Sequence, residues 1–265
     1  MLTEIEKLQG LETSVVVVTG NPGIGKTIFG LYYMNYLART KKFKHTIYYQ
    51  PYTFSDEKRN KIYIIKLNEQ NSPQIQVVFD ISFDSSVVKN HDIYIVDGNV
   101  PGFIRCFTLL ISSYKQEYFN NVFKVDSVDM RFMPVLTLEE LESVRQISYS
   151  KVLSFKVLKE TYDKWGGFVR YAVVKASHQN NKIDNYFIDS IKTCDLDDLR
   201  NFIRNDSYQL KGTVFSNLIL LWNSKYPFDV AEPSITSHAV EILIDQNKNE
   251  IFDIVNEIKK TDDVR

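Results

Sequence analysis

Two cysteines, four histidines and a net charge of -1 close off several chemistries at the outset. Cys106 and Cys194 stand far apart, with no Cys or His at ligand spacing, so a disulfide scaffold or a zinc site is not expected. Both read as small buried hydrophobes. His45, His91, His178 and His238 are scattered in the same way and are assigned no chemistry. Lys and Arg number 32 against 33 Asp and Glu, which leaves no global basic field to draw the chain to nucleic acid or anionic membrane. The 16 Tyr and 17 Phe form no stripe interleaved with basic residues, so nucleic acid is not indicated as a partner of this chain alone. No apolar run reaches the length of a membrane span, and the opening MLTEIEKLQGLET has acidic residues where a secretory leader would be apolar. The chain as written is expected to be soluble and intracellular, with no membrane partner. Repeats and low-complexity linkers are also lacking.

What is present is a hydrophobic content of 44%, enough for a full core, and one stretch that organises the rest. In VVVVTGNPGIGKT, Val15 to Val18 are apolar on both faces and predict a strand buried from two sides, as in a parallel sheet. Gly20-Asn21-Pro22-Gly23-Ile24-Gly25-Lys26-Thr27 then satisfies G-x-x-x-x-G-K-[ST], and an apolar helical stretch follows at once. Backbone N–H groups can wrap a polyphosphate only where side chains are absent and positive φ is tolerated, hence Gly20, Gly23 and Gly25. Lys26 would meet the β- and γ-phosphates, Thr27 would offer its hydroxyl to Mg2+, and the helix amino end adds partial positive charge. Lys26 is expected to be an exposed loop residue.

Along the chain, residues 1 to 14 predict a short helix leading into the first strand, and His45 to Gln50 a second strand. KIYIIKL and QIQVVF, separated by a polar turn, predict a β-hairpin insertion, followed by a short helical turn at Ser85 to Asn90. HDIYIVDG is a buried strand ending in a carboxylate, which makes Asp97 the candidate magnesium partner, with Asp80 as its rival. FTLLIS repeats the pattern and ends at Ser112, a candidate γ-phosphate sensor or holder of the attacking water that reads equally as a turn residue. Thr137-Leu138-Glu139-Glu140 is a capping box. Helices are expected at about Lys151 to Lys164, from Phe168 with Arg170 near its amino end, and at Asn185 to Asn205, Thr213 to Asn223 and Glu250 to Lys260. A strand is expected at Ala239 to Ile244. The organisation expected is a nucleotide-binding core over residues 1–130 and a mainly helical region over 131–265.

GNPGIGKT, IYIVDG, FTLLISS, MPVLTLEELESVR and WGGFVRY together resemble the NTPase region of Crinkler effectors and the related trypanosome retrotransposon hot spot proteins. The likeness runs over nearly the whole chain. It implies a phosphate-loop NTPase of the AAA+ and STAND branch: an α/β fold with a mainly parallel sheet flanked by helices and a carboxyl-terminal helical lid. It implies ATP and Mg2+ as ligands, held by Gly20 to Thr27 and by Thr27 with Asp97, and a lid-borne arginine at Arg170. Two departures stand out. Val169 replaces the proline the family places before that arginine, and neither the amino-terminal translocation domain nor the carboxyl-terminal nuclease domain of many members is seen. DNA cleavage would therefore need a missing segment or a partner; the partners expected, besides nucleotide, are a homo-oligomer or a separate effector or nuclease chain. Secretion and action in a host nucleus are further implications of the resemblance.

The leading function is an ATPase that drives a conformational switch. The competing class is a nucleotide-binding regulatory module with little turnover, because Gly98 stands where a water-activating Glu would follow Asp97. Glu117 or Asp80 is the substitute base. A small-molecule kinase ranks last, since its lid would gather several arginines, whereas Arg131, Arg145 and Arg170 are spread out. No guanine-reading N-K-x-D occurs, which tilts the base towards adenine.

Overall fold

A computed structural model describes residues 2–9, 15–40, 46–51, 61–67, 73–79, 85–102, 106–113, 122, 127–178, 219–222, 232–235 and 241. They fall in two compact units. One comprises Met1–Gly20 and Gly25–Met133, the other Asn21–Ile24 and the described residues from Pro134 onward.

The first unit is built on a seven-stranded, mostly parallel sheet flanked by helices, an architecture compatible with Rossmann-like and phosphate-loop folds alike. Its elements are α1 (Leu2–Gln9), β1 (Val15–Thr19), α2 (Lys26–Arg39), β2 (Ile47–Gln50), β3 (Lys61–Leu67), β4 (Pro73–Phe79), β5 (Ile93–Asp97), β6 (Phe107–Ile111) and β7 (Val128–Phe132). The strand order is β4-β3-β2-β5-β6-β1-β7. β2, β5, β6, β1 and β7 run parallel, and β3 and β4 form an antiparallel hairpin added beside β2. β1, β5 and β6 are buried at every position, which is why they carry unbroken apolar runs instead of alternation. On one face Val16, Val18, Ile95, Leu109 and Ile111 pack with Ile5 of α1 and with Tyr33 and Leu37 of α2. On the other, Val15, Val17, Tyr94, Val96 and Leu110 gather around Val88 and Val122. Gly30 lets α2 lie close to the sheet, since a Cβ there would stand 2.5 Å from Ile111 Cδ1.

β7 went unread in the sequence. Val128, Met130 and Phe132 alternate with Asp129 and Arg131, the period-2 signal of a half-buried strand, and the segment pairs in register with β1, Val18 opposite Arg131.

In the second unit, α3 (Leu138–Val144) continues into a π-helical stretch at Arg145–Tyr149, and α4 (Phe155–Trp165) into the corner Gly166–Val169 and a second π-helical stretch at Arg170–Lys175. The capping box holds as expected: the Glu140 N–H donates to Thr137 Oγ1 at 3.3 Å, and the Thr137 N–H donates to Glu140 Oε2 at 2.8 Å. α4 begins at Phe155, not at Lys151, because Ser154 caps it by accepting from the Val157 N–H. The helix expected over Thr213 to Asn223 is contradicted: Ile219–Trp222 is a strand, β8, antiparallel to β9 (Glu232–Ile235). Ile-Leu-Leu-Trp suits either state locally, and cross-strand pairing decides it. The expected helices at 185–205 and 250–260 lie outside the described residues. So does the strand at 239–244, apart from Glu241, which is helical. No helix among the described residues is long and apolar enough to cross a membrane.

Candidate functional site

β1 delivers the chain to Gly20 at the carboxyl edge of the sheet, and the backbone re-enters regular structure at Gly25, the N-cap of α2. Gly20, Gly23 and Gly25 have φ of 143°, 82° and 105°, a region side chains disfavour, so this path requires glycine at each position. Gly25 has no side chain to cap α2, and the amino end of that helix carries its partial positive charge at the loop.

Lys26 corrects an expectation. It is 8% exposed, not a solvent-facing loop residue, and its Nζ donates to the Gly20 carbonyl at 2.8 Å. The ammonium thus bridges the two ends of the loop within the first unit. Thr27, one residue further into α2, is exposed.

Asp97 closes β5, in register with Ile111 of β6, which is itself opposite Val18 of β1. Two strand spacings, on the order of 10 Å, separate it from β1, and it shares its sheet face with Val18 and Ile111, the face that α2 covers. Burial raises its pKa above the ordinary carboxylate value, while a hydrogen bond with the Thr27 side chain and the Lys26 charge pull the other way. Its Oδ2 is buried and has no hydrogen-bond partner among the described residues. Carboxylate, hydroxyl and ammonium therefore converge at the first turn of α2. The Tyr49 phenol belongs to the same neighbourhood: burial, and then the Asp97 charge, push its pKa up to about 12. Asn99 fixes the turn after β5 by donating to the Pro51 carbonyl at 2.8 Å and the Asp97 carbonyl at 3.2 Å.

A buried carboxylate oxygen without a partner, beside a threonine hydroxyl, is an oxygen donor set for a hard divalent cation that keeps most of its water. Among the described residues no cluster of three or more His, Cys, Asp or Glu forms an all-protein metal cage.

The sequence matches no protein-family model and no curated protein.

Ser112 lies at the same sheet edge, on the strand between β1 and β5, but its hydroxyl is committed to the Ser113 carbonyl at 2.8 Å. Gly98 takes φ 60° and donates its N–H to the Ile111 carbonyl at 2.7 Å. Asp80 and Glu117 lie outside the described residues. Two of the three spread-out arginines are engaged locally. Arg131 pairs with Asp129 at 2.6 Å, and Arg145 holds Glu142 at 2.6 Å and the Leu153 carbonyl at 3.0 Å. Cys106 is buried, its thiol pushed up to about 12, and is inert at neutral pH.

In the second unit, Asn21, Pro22, Gly23 and Ile24 sit with Arg170. Arg170 begins the π-helical stretch, its side chain is exposed, and its N–H donates to the Gly23 carbonyl at 3.2 Å. Its side chain lies so close over Gly23 that a Cβ there would be 2.9 Å from Arg170 Cβ. Sequence reasoning had no signal for Tyr49 or for the burial of Lys26. Asn99 could have been found from its position two residues past Asp97.

Proposed function

We propose that the chain binds ATP with Mg2+ as a phosphate-loop NTPase, and that hydrolysis drives a conformational switch. In this reading Gly20 to Thr27 cradle the phosphates, Lys26 leaves the Gly20 carbonyl for the phosphate oxygens, and Thr27 with Asp97 holds the metal. The observation that carries it is the convergence of buried Lys26 with buried Asp97, whose Oδ2 has no partner, at the first turn of a helix entered through left-handed glycine. A fold gains little from leaving one oxygen of a buried carboxylate without a partner, whereas a metal-bound polyphosphate would satisfy it. Bound Mg2+ supplies charge neutralisation on the phosphates; Lys26 binds and orients them, and Arg170 is assigned to sensing the γ-phosphate. Membership of the Crinkler and retrotransposon hot spot family belongs to the same proposal, as do a homo-oligomer or separate effector or nuclease chain as partner and action in a host nucleus.

A second reading, a nucleotide-binding module with little turnover, is favoured by Gly98. Its left-handed backbone disfavours a side chain at that position, and among the described residues Asp97 is the single carboxylate at the carboxyl edge of β5, β6 and β1. Titration calorimetry with ATP, with and without Mg2+, followed by phosphate release under saturating nucleotide, separates the outcomes. Binding with release supports the switch-driving ATPase, binding without release the regulatory module, and absence of binding refutes both.

A further inference from the structure

The corner Trp165-Gly166-Gly167-Phe168-Val169-Arg170-Tyr171 is built more rigidly than a cap alone requires. α4 ends at Gly166, φ 65°, and the Trp165 and Tyr171 rings stack at 4.5 Å with 11° between planes, while Phe168 meets Tyr171 edge-on at 5.9 Å. Gly167 lies directly on the backbone of Leu136: the Leu136 N–H donates to its carbonyl at 3.1 Å, and a Cβ on Gly167 would stand 1.9 Å from the Leu136 oxygen. The segment leading into α3 and the glycine corner are thus docked main chain to main chain. Arg170 leaves that corner with its N–H on the Gly23 carbonyl.

We infer that Arg170 is a positioning residue that acts through its main chain on Gly23, so that nucleotide occupancy of the loop is reported to the helices of the second unit. This rests on the nucleotide reading above. When successive backbone N–H groups turn inward to an anion, the intervening carbonyls turn outward. Gly23 already presents its carbonyl to the Arg170 N–H. Phosphate binding fixes that carbonyl, strengthens its bond to Arg170 and thereby steadies the corner, and through Gly167 and Leu136 the entry to α3. By linkage, a corner held in this geometry favours nucleotide to the same degree. The Arg170 guanidinium is not needed for this step.

Hydrogen exchange on the intact chain, with and without ATP and Mg2+, tests it. The expected result is slowing in peptides covering residues 20–27 and, in parallel, at least tenfold slowing in those covering 166–173. Ligand binding also slows exchange globally, so the slowing at 166–173 is read against residues 155–165, and equal slowing in both overturns the inference. Slowing at 20–27 alone overturns the inference and leaves the nucleotide reading intact; no slowing at 20–27 overturns both. Gly167→Ala, far in sequence from the loop, is expected to lower ATP affinity at least severalfold and abolish the parallel slowing. Exchange in residues 155–165 reports whether α4 remains folded in that variant. A folded variant with wild-type affinity and parallel slowing also overturns the inference.

Discussion

Replacing Asp97 with asparagine should stabilise the nucleotide-free protein while removing its response to magnesium, a pair of effects that an ordinary structural carboxylate would not give. Asp97 is 5% exposed, its Oδ2 has no hydrogen-bond partner, and burial outweighs Thr27 and Lys26 in setting its proton affinity. An unsatisfied buried polar atom costs about 1–3 kcal/mol, more when charged. Asparagine keeps the shape and some of that penalty but removes the charge, and it forfeits the attraction to Lys26. A net gain of about 1 kcal/mol follows, or about 2–4 °C in Tm for a chain of this size class. Wild type at a hundredfold excess of Mg2+-ATP over its Kd should gain about 2.7 kcal/mol, and the variant far less.

The pH dependence has the matching sign. Because the folded-state pKa lies above the ordinary carboxylate value, the folded state holds this proton more tightly than the unfolded chain. Nucleotide-free stability from this group is therefore greatest below the ordinary value and falls as pH rises from there through the raised one, while Mg2+ affinity rises across the same window. Thermal melts of wild type and Asp97→Asn, with and without Mg2+-ATP, over a pH series measure both. A variant that melts lower without ligand, or that gains as much from Mg2+-ATP as wild type, refutes the reasoning.

Lys26→Ala should abolish ATP binding in calorimetry, and because it strips the Gly20 carbonyl of its buried donor it should also cost about 1 kcal/mol in denaturant melts; unchanged affinity would defeat the loop assignment. Arg170→Ala should reduce any preference for ATP over ADP by roughly tenfold, since charge-assisted contacts are worth about 1.5–3 kcal/mol; an unchanged affinity ratio would remove the sensor role. Thr137→Ala should destabilise α3 by about 1 kcal/mol through loss of the capping box, read as faster exchange in residues 138–144.

Local chemistry was enough to read part of this protein from its sequence. The four valines of β1, the glycine-spaced turn and the apolar face of α2 fix a strand, a tight loop and a helix in that order, since each depends on neighbours along the chain. Asp97 at the end of a buried run and the Thr137 capping box are legible for the same reason. The rest was decided by tertiary structure. VDMRF carries the alternation of a strand in its own sequence, and its place beside β1 is what the fold adds; Ile219–Trp222, with no alternation, is a strand because β9 supplies its pairing partner. The burial of Lys26, the orphaned Asp97 Oδ2 and the commitment of the Ser112 hydroxyl to Ser113 depend on how α2 and the strand ends pack, which no spacing encodes. Gly166 ends α4 through its own backbone, whereas the lack of a side chain at Gly167 matters where it meets the backbone of Leu136, a contact visible only once the chain has folded.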